Sequence, residues 1–249
     1  MSELALKLIA ENYKTHATFL DLGNCGLTKV PDEIGDLVWL EELSFSSERR
    51  DGEDILGSQN SGDRNNITEL NSTVHRLKQS TSGLGQLTKL KKLWLSSFDY
   101  GSKNINLSDL SILANFGSLQ QLYVSCTKVT DLSPLANLGE LQLLDVSGTP
   151  VTDLSPLANL DGLQQLYAFF TPVTDLSPLA NLVGLQHFSA SDTQVTDLIP
   201  LTNLAELQWL DISDTQVTDL TPLANLAELQ ELNISNTQVT DLSPLLRFI

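Results

Sequence analysis

The chain has 249 residues, of which 41% are hydrophobic and 18% charged, a composition that supports a continuous core and excludes an intrinsically disordered chain. Its formal net charge of -17 disfavours nucleic acid and anionic membranes as partners, because both repel a strongly acidic protein. No stretch reaches the roughly 18–20 apolar residues that span a membrane, and the N-terminus lacks a secretion-signal pattern, so we expect a cytoplasmic protein.

The first predicted element is a short helix at the N-terminus. Residues 2–12 begin with Ser2, a suitable N-cap, and place three apolar side chains on one helical face: Leu4, Leu8 and Ile9. We therefore predict that residues 1–16 form a capping helix. It would shield the open edge of a repeat domain that spans residues 17–249.

Most of the chain repeats one unit of 22 residues. A typical copy, LQLLDVSGTPVTDLSPLANLDG, starts at Leu141 with apolar residues at strand spacing and continues with an apolar residue at every third position. The second spacing suits a 3₁₀ or irregular return, so each unit predicts one strand and one return, and the strands must form a parallel sheet. Near-copies open at Leu119, Leu141, Leu163, Leu185, Leu207 and Leu229.

The same spacing continues towards the N-terminus. Three more coils begin near Ala17, Leu40 and Leu90, which gives about nine coils, the last of them incomplete. The first intervening insert is polar, charged and glycine-bearing, so we predict a mobile loop beside the sheet. The inserts lie near residues 48–65, 71–85 and 98–105.

The pattern resembles the leucine-rich repeat family, and residues 119–249 resemble the repeats of bacterial internalins, with their Asp-Leu-Ser-Pro-Leu-x-x-Leu return. The stretch ATFLDLGNCGLTKVPDEIGDL is similar to cytoplasmic bacterial leucine-rich repeat proteins, including those whose repeats precede a Roc-COR GTPase module. The resemblance implies an α/β solenoid, a right-handed superhelix with a parallel β-sheet on its concave side and 3₁₀ or irregular returns on its convex side. Two departures from internalins are Thr in place of the usual Asn at each strand end and the lack of a secretion signal or wall anchor.

Two polar columns repeat with the coils, and we predict that both are structural. A threonine hydroxyl at the strand end can satisfy turn groups that would otherwise be buried without a partner. Stacked aspartates could collect Ca²⁺, but a calcium site needs about six to eight converging oxygens, so we expect hydrogen bonds to turn amides instead. The columns are Thr127, Thr149, Thr171, Thr193, Thr215 and Thr237, and Asp131, Asp153, Asp175, Asp197, Asp219 and Asp241.

No sequence pattern indicates catalysis, a metal or a cofactor. The sequence contains no phosphate-binding glycine loop, no zinc-type spacing of Cys and His, and no nucleophile elbow. We therefore predict that the protein is not an enzyme and needs neither a metal nor a cofactor.

The informative positions are those at which near-identical repeats differ while facing solvent on the sheet. Alternation along the strand turns three residues of each coil outwards, and the third is usually serine. Phe169 replaces that serine and Phe170 follows it, which predicts an exposed aromatic pair. The predicted partner-binding stripe consists of Trp94, Tyr123, Leu143, Tyr167, Phe169, Phe170 and Trp209, edged by Asp145, His187, Asp211 and Asp214. The alternative is that some rings fill gaps between strands or pack under an insert.

These features predict a protein–protein interaction module whose partner, with basic and apolar surface, binds the concave face. The alternative is a regulatory or substrate-recognition arm of a larger signalling enzyme, such as a Roc-COR GTPase, because the chain stops inside a repeat without a polar cap. Self-association through that uncapped end is a further expectation.

Overall fold

The computed structural model describes residues 2–51, 54–67, 83–96 and 106–248. The chain divides into two compact units, Met1–Val129 and Thr130–Ile249. No helix in these described ranges is both long enough and apolar enough to cross a membrane. Each unit is built from the predicted coils, with one short strand and one 3₁₀ return apiece.

Helix α1 spans Glu3–Thr15, within the residues 1–16 that the sequence predicts to form a capping helix. The Ser2 hydroxyl accepts a hydrogen bond from the Ala5 backbone N–H at 3.4 Å, as an N-cap does. Ile9 is buried as expected, whereas Leu4 and Leu8 are only half-buried. The Asn12 side chain joins the helix to the first coil, because its amide donates to the Ala17 and Phe19 carbonyls.

The first unit contains four parallel strands: β1 (Phe19–Asp21), β2 (Glu42–Ser44), β5 (Lys92–Trp94) and β6 (Gln121–Tyr123). The strands pair in that order with no offset. The central residue of each strand points into the core and is fully or almost fully buried: Leu20, Leu43, Leu93 and Leu122.

The first insert is not the mobile loop that its composition predicts. Residues Glu48–Asp51 and Asp54–Gly57 form an antiparallel hairpin, strands β3 and β4. The hairpin is held to the sheet by Arg49, whose guanidinium carbon lies 4.5 Å from the centre of the Phe19 ring. The same guanidinium lies 3.7 Å from the Asp21 carboxylate. Arg49 of this insert therefore binds the first strand and is half-buried there.

After the hairpin, one polar side chain bonds to backbone groups of the first two coils. Asn65 is 4% exposed, and its amide donates to the Leu22 and Phe45 carbonyls at 2.8 and 2.9 Å. Its carbonyl oxygen accepts from the Leu27 N–H at 2.8 Å. A buried amide with three such bonds fixes the insert against the first two coils. The other predicted inserts lie largely outside the described residues, in 68–82 and 97–105.

The second unit contains five parallel strands: β7 (Leu143–Asp145), β8 (Gln165–Tyr167), β9 (His187–Ser189), β10 (Trp209–Asp211) and β11 (Glu231–Asn233). Returns such as Ser155–Leu157 are single 3₁₀ turns with proline at their second residue, as the spacing of three predicts. Full burial of one Leu side chain contributes about 1.5–3 kcal/mol, so the inward-facing rows supply most of the stability. The inward residues at the strand centres of the first four strands are Leu144, Leu166, Phe188 and Leu210.

Both polar columns have the predicted structural role. Each column threonine donates its hydroxyl to the carbonyl three residues earlier, as Thr171 does to Ala168 at 2.6 Å. Each column aspartate accepts from the backbone N–H two residues later, as Asp175 does from Ser177 at 2.8 Å. Among the described residues, no group of three or more His, Cys, Asp or Glu could hold a metal ion.

We predict that Thr171→Val lowers the free energy of unfolding by about 1–2 kcal/mol, because the buried Ala168 carbonyl loses its hydroxyl donor. Urea denaturation measures the change. The control is Thr174→Val, an exposed threonine in the same coil, which should shift stability by less than about 0.5 kcal/mol. Equal effects at the two positions would contradict a structural role for the column.

The hydrogen bonds of the aspartate column also change its titration. The Ser243 backbone N–H and hydroxyl, 2.8 and 2.9 Å from the Asp241 carboxylate, lower the pKa of that group below its ordinary value of 3.8. A lowered pKa in the folded state means that the carboxylate stabilises the fold above pH 3.8. That contribution disappears as the pH falls through the lowered pKa.

We therefore expect Ser243→Ala to raise the pKa of Asp241 part of the way towards 3.8, because the backbone bond remains. Carboxyl NMR titration measures this pKa directly. The Asp131 pKa, which the Ser133 hydroxyl and N–H lower in the same way, provides the control and should not move. An unchanged Asp241 pKa would show that the hydroxyl has no role in the shift.

Candidate partner-binding surface

The predicted site residues occupy fixed rows on the solvent side of the strands. In the second unit, Leu143, Gln165, His187 and Trp209 are neighbours in one row, because each pairs with the next across adjacent strands. Asp145, Tyr167, Ser189 and Asp211 form the next row. Adjacent positions in a row lie about 4.8 Å apart, so the row residues can contact one another.

The two predicted residues of the first unit are not exposed. Trp94 and Tyr123 are 2% and 3% exposed, although both occupy outward positions. Their rings stack almost in parallel, at 9°, with centres 5.6 Å apart. Stacking across adjacent strands removes a face of each ring from solvent. The expectation that these rings are exposed is therefore wrong, and the alternative that rings cover the space between strands describes this pair.

Leu143 and Asp145 are also buried, at 8% and 3% exposure. Their cross-strand neighbours are Gln165 and Tyr167, whose longer side chains lie directly beside them. We attribute the burial to this cover. In addition, the Asp145 carboxylate accepts from the Ser147 N–H at 3.0 Å, so it closes the strand end instead of forming an exposed acidic edge.

Among the predicted site residues, Tyr167 and Trp209 form one aromatic pair that reaches solvent. Both are half-buried, and their ring centres lie 6.3 Å apart at an angle of 55°, across strand β9. Between them β9 contributes the small residue Ser189, which is 2% exposed. His187 lies beside Trp209 in the same row, and its Nδ1 is buried without a hydrogen-bond partner among the described residues. The surface here is an aromatic platform with a polar imidazole at its side.

Phe169 and Phe170 form the second aromatic pair. Their rings meet edge to face, at 71°, with centres 5.7 Å apart. Phe169 is half-buried, whereas Phe170 is 53% exposed. The prediction of an exposed aromatic at this point of the repeat is confirmed for Phe170.

The backbone at Phe170 is unusual for an aromatic residue. Its φ is 54°, in the left-handed region, and the equivalent residue of every following coil also has positive φ. We call these equivalent positions of the second unit the strand-exit row: Gly148, Phe170, Asp192, Asp214 and Asn236. Gly, Asn and Asp tolerate this conformation, whereas a bulky side chain there is strained. Such strain often marks a functional position.

The other two acidic edge residues of the second unit, Asp211 and Asp214, differ in their bonding. The Asp211 carboxylate accepts from the Ser213 N–H at 3.0 Å and from the Ser213 hydroxyl at 2.7 Å, so it also closes a strand end. Asp214 is exposed, and its Oδ1 accepts from the Asn236 amide at 2.9 Å. The sequence interpretation omits Asp192, although it occupies the same repeat position as Phe170 and is exposed. Extending the repeat alignment one residue past the outward serine identifies it.

We predict that Phe170→Gly is more stable than Phe170→Ala by about 1 kcal/mol, because only glycine adopts positive φ without cost. At Phe169, whose φ is not positive, the order should reverse, with the alanine variant more stable by about 0.5–1 kcal/mol. Urea denaturation of the four variants measures both differences. The same order at both positions would contradict strain at Phe170.

Comparison with known proteins agrees with the repeat fold described above. The family model for leucine-rich repeats in two copies matches residues 205–247. A search of curated proteins gives no match. Among solved structures, an internalin from Listeria monocytogenes, InlF, is 30% identical with a TM-score of 0.68, and the match covers 94% of this chain and 65% of that protein. The chain thus spans about two thirds of its length.

Two further structures extend the comparison. Internalin C2 from Listeria monocytogenes is 36% identical with a TM-score of 0.62, over 66% of this chain and 69% of that protein. The ectodomain of a plant receptor kinase from Arabidopsis thaliana, solved with Casparian strip integrity factor 2, is 20% identical with a TM-score of 0.64, over 89% of this chain and 24% of that protein. The plant receptor shows similarity of fold alone. Taken with the strands, returns and columns described above, the internalin matches show that this chain belongs to the leucine-rich repeat family, with repeats of the internalin type.

Proposed function

We propose that the solvent side of the second unit binds a protein partner, with Phe170 and Trp209 as the main apolar contacts. The observation that carries this proposal is Phe170. It exposes 53% of a large apolar side chain from a left-handed backbone position that the other coils of this unit fill with Gly, Asp or Asn. A left-handed backbone is costly for an aromatic residue, and an exposed ring lowers solubility, so contact with a partner explains Phe170 best.

The surroundings of Phe170 support a protein as the partner. Phe169 and Tyr167 are half-buried in the same coil, and Trp209 is half-buried two strands away, with its ring centre 6.3 Å from that of Tyr167. Exposed Asp192 and Asp214 follow Phe170 in the strand-exit row. Aromatic anchors within a polar rim are the usual composition of protein interfaces. Leucine-rich repeat proteins of the same fold include receptors solved with protein ligands, which supports the same type of function. The proposed role is binding, and it assigns no catalytic group.

The alternative is that this surface belongs to the regulatory or substrate-recognition arm of a larger signalling enzyme, for example a Roc-COR GTPase. Both proposals use the same surface and differ in what is encoded beside it, which sequencing of the surrounding gene would decide. The cytoplasmic location and self-association through the last coil remain predictions.

We expect Phe170→Ala and Trp209→Ala each to weaken partner binding at least about tenfold, since both remove an aromatic anchor. A photo-crosslinking phenylalanine analogue at position 170 captures the partner, which is identified by mass spectrometry and purified. Isothermal titration calorimetry then gives Kd for each variant, and circular dichroism confirms that each variant is folded.

Val183→Ala is the matched control. Val183 is an equally exposed apolar side chain, at 56%, but it follows the 3₁₀ return Ser177–Leu179 instead of lying near the strand end. Its substitution should change Kd by less than about twofold. Unchanged affinity in both aromatic variants, or a large loss in Val183→Ala, would place the interface elsewhere and reject the proposal.

A further inference from the structure

The strand-exit row combines an exposed ring with neighbouring exposed carboxylates. The Phe170 N–H donates to the Ser191 carbonyl at 3.0 Å, and the Asp192 N–H donates to the Ser213 carbonyl at 3.0 Å. These bonds join successive turns directly, so the side chains of the row follow one another at about the strand spacing of 4.8 Å. The Phe170 ring and the Asp192 carboxylate are therefore within reach of a single ligand side chain.

Among the described residues, no cation pairs with the carboxylates of this row. The Asp192 side chain has no hydrogen bond or ion pair with any described residue, and Asp214 has only the neutral Asn236 amide. Residues 130–249 contain 15 Asp and Glu and a single basic residue, Arg247. The charge of the row is thus complementary to a basic ligand.

The first unit shows how this chain holds a guanidinium. Arg49 lies over the Phe19 ring, with 4.5 Å from its guanidinium carbon to the ring centre, and 3.7 Å from the Asp21 carboxylate. A phenyl ring and a carboxylate on the solvent side of one strand therefore contact an arginine in this structure. Phe170 and Asp192 provide the same two groups on adjacent coils.

We propose that Phe170, Asp192 and Asp214 receive an arginine side chain from a basic segment of the protein partner. The flat guanidinium stacks on the Phe170 ring while its N–H groups donate to the Asp192 carboxylate, and the Asp214 carboxylate, about 9.6 Å from Phe170 along the row, adds negative charge beside the site. Arginine fits better than lysine because its planar donor group can stack and pair at once, whereas an ammonium is a strongly hydrated point charge. This assignment rests on the proposed function and specifies the chemistry that the same surface recognises.

The test titrates the peptide Ac-Gly-Arg-Arg-Gly-NH₂ into the ¹⁵N-labelled chain at low salt and follows amide chemical shifts by NMR. We expect saturable shifts centred on residues 170, 192 and 214. The same peptide with citrulline, which keeps the shape and loses the charge, should bind at least about tenfold more weakly. Phe170→Leu and Asp192→Asn should each weaken binding by about threefold to tenfold, through loss of the ring face and of one charge.

Asp197→Asn is the matched control, because it removes the same charge from an exposed aspartate of the return column. It should leave the peptide affinity within about twofold of the wild-type value. Equal losses of peptide affinity in Asp192→Asn and Asp197→Asn would show that the peptide is attracted only by the overall negative charge of the protein. That result would overturn the proposal. Equal binding of a lysine version of the peptide, Ac-Gly-Lys-Lys-Gly-NH₂, would overturn the choice of arginine.

The two proposals fail in different ways. If the arginine peptide does not bind while Phe170→Ala and Trp209→Ala still weaken the captured partner, the surface binds protein and the arginine assignment is wrong. If the peptide binds at residues 170, 192 and 214 but the two alanine variants leave partner affinity unchanged, the arginine site exists and the proposed function is wrong.

Discussion

The bond from a threonine hydroxyl to the carbonyl three residues earlier is the constraint on which the second unit depends. At each strand end the chain reverses at one residue with positive φ, and the next residue, for example Thr171 or Thr193, satisfies a carbonyl that would otherwise be buried without a donor. Because this bond closes every turn in the same way, successive coils superimpose and their inward leucines meet. Rows of equivalent side chains on the solvent side are a consequence of that regular closure.

Because the coils are so regular, one residue that departs from the repeat is informative. The turn residue before the threonine contributes conformation and little else, which is why Gly, Asp and Asn are suitable there. Phe170 has the same backbone geometry at a higher conformational cost, so its side chain must have another role. With the neighbouring carboxylates, the proposed role changes from apolar contact to recognition of a cation next to a ring.

The sequence predicts most of the fold because each structural requirement recurs every 22 residues and can be checked against its own copies. It predicts Phe170 as an exposed residue for the same reason. It does not predict the burial of Trp94 and Tyr123, since stacking between two rings depends on contacts across strands that alternation along one strand cannot reveal. The hairpin of Glu48–Asp51 and Asp54–Gly57 was also not predictable from composition, because its Arg49 contacts Phe19 and Asp21 of the first strand, whereas a polar composition normally indicates solvation.

The hydrogen bonds that close a coil involve residues of the repeat itself, and the residue at the positive-φ position takes no side-chain part in them. An exchange at that position, between Gly148 and Phe170 or between Phe170 and Asp192, would therefore leave both coils intact and move the aromatic ring along the unit by one strand spacing, about 4.8 Å. The location of the proposed binding contact would thus be inherited separately from the fold. A lineage carrying these repeats could change its partner through two codons while the scaffold stays the same.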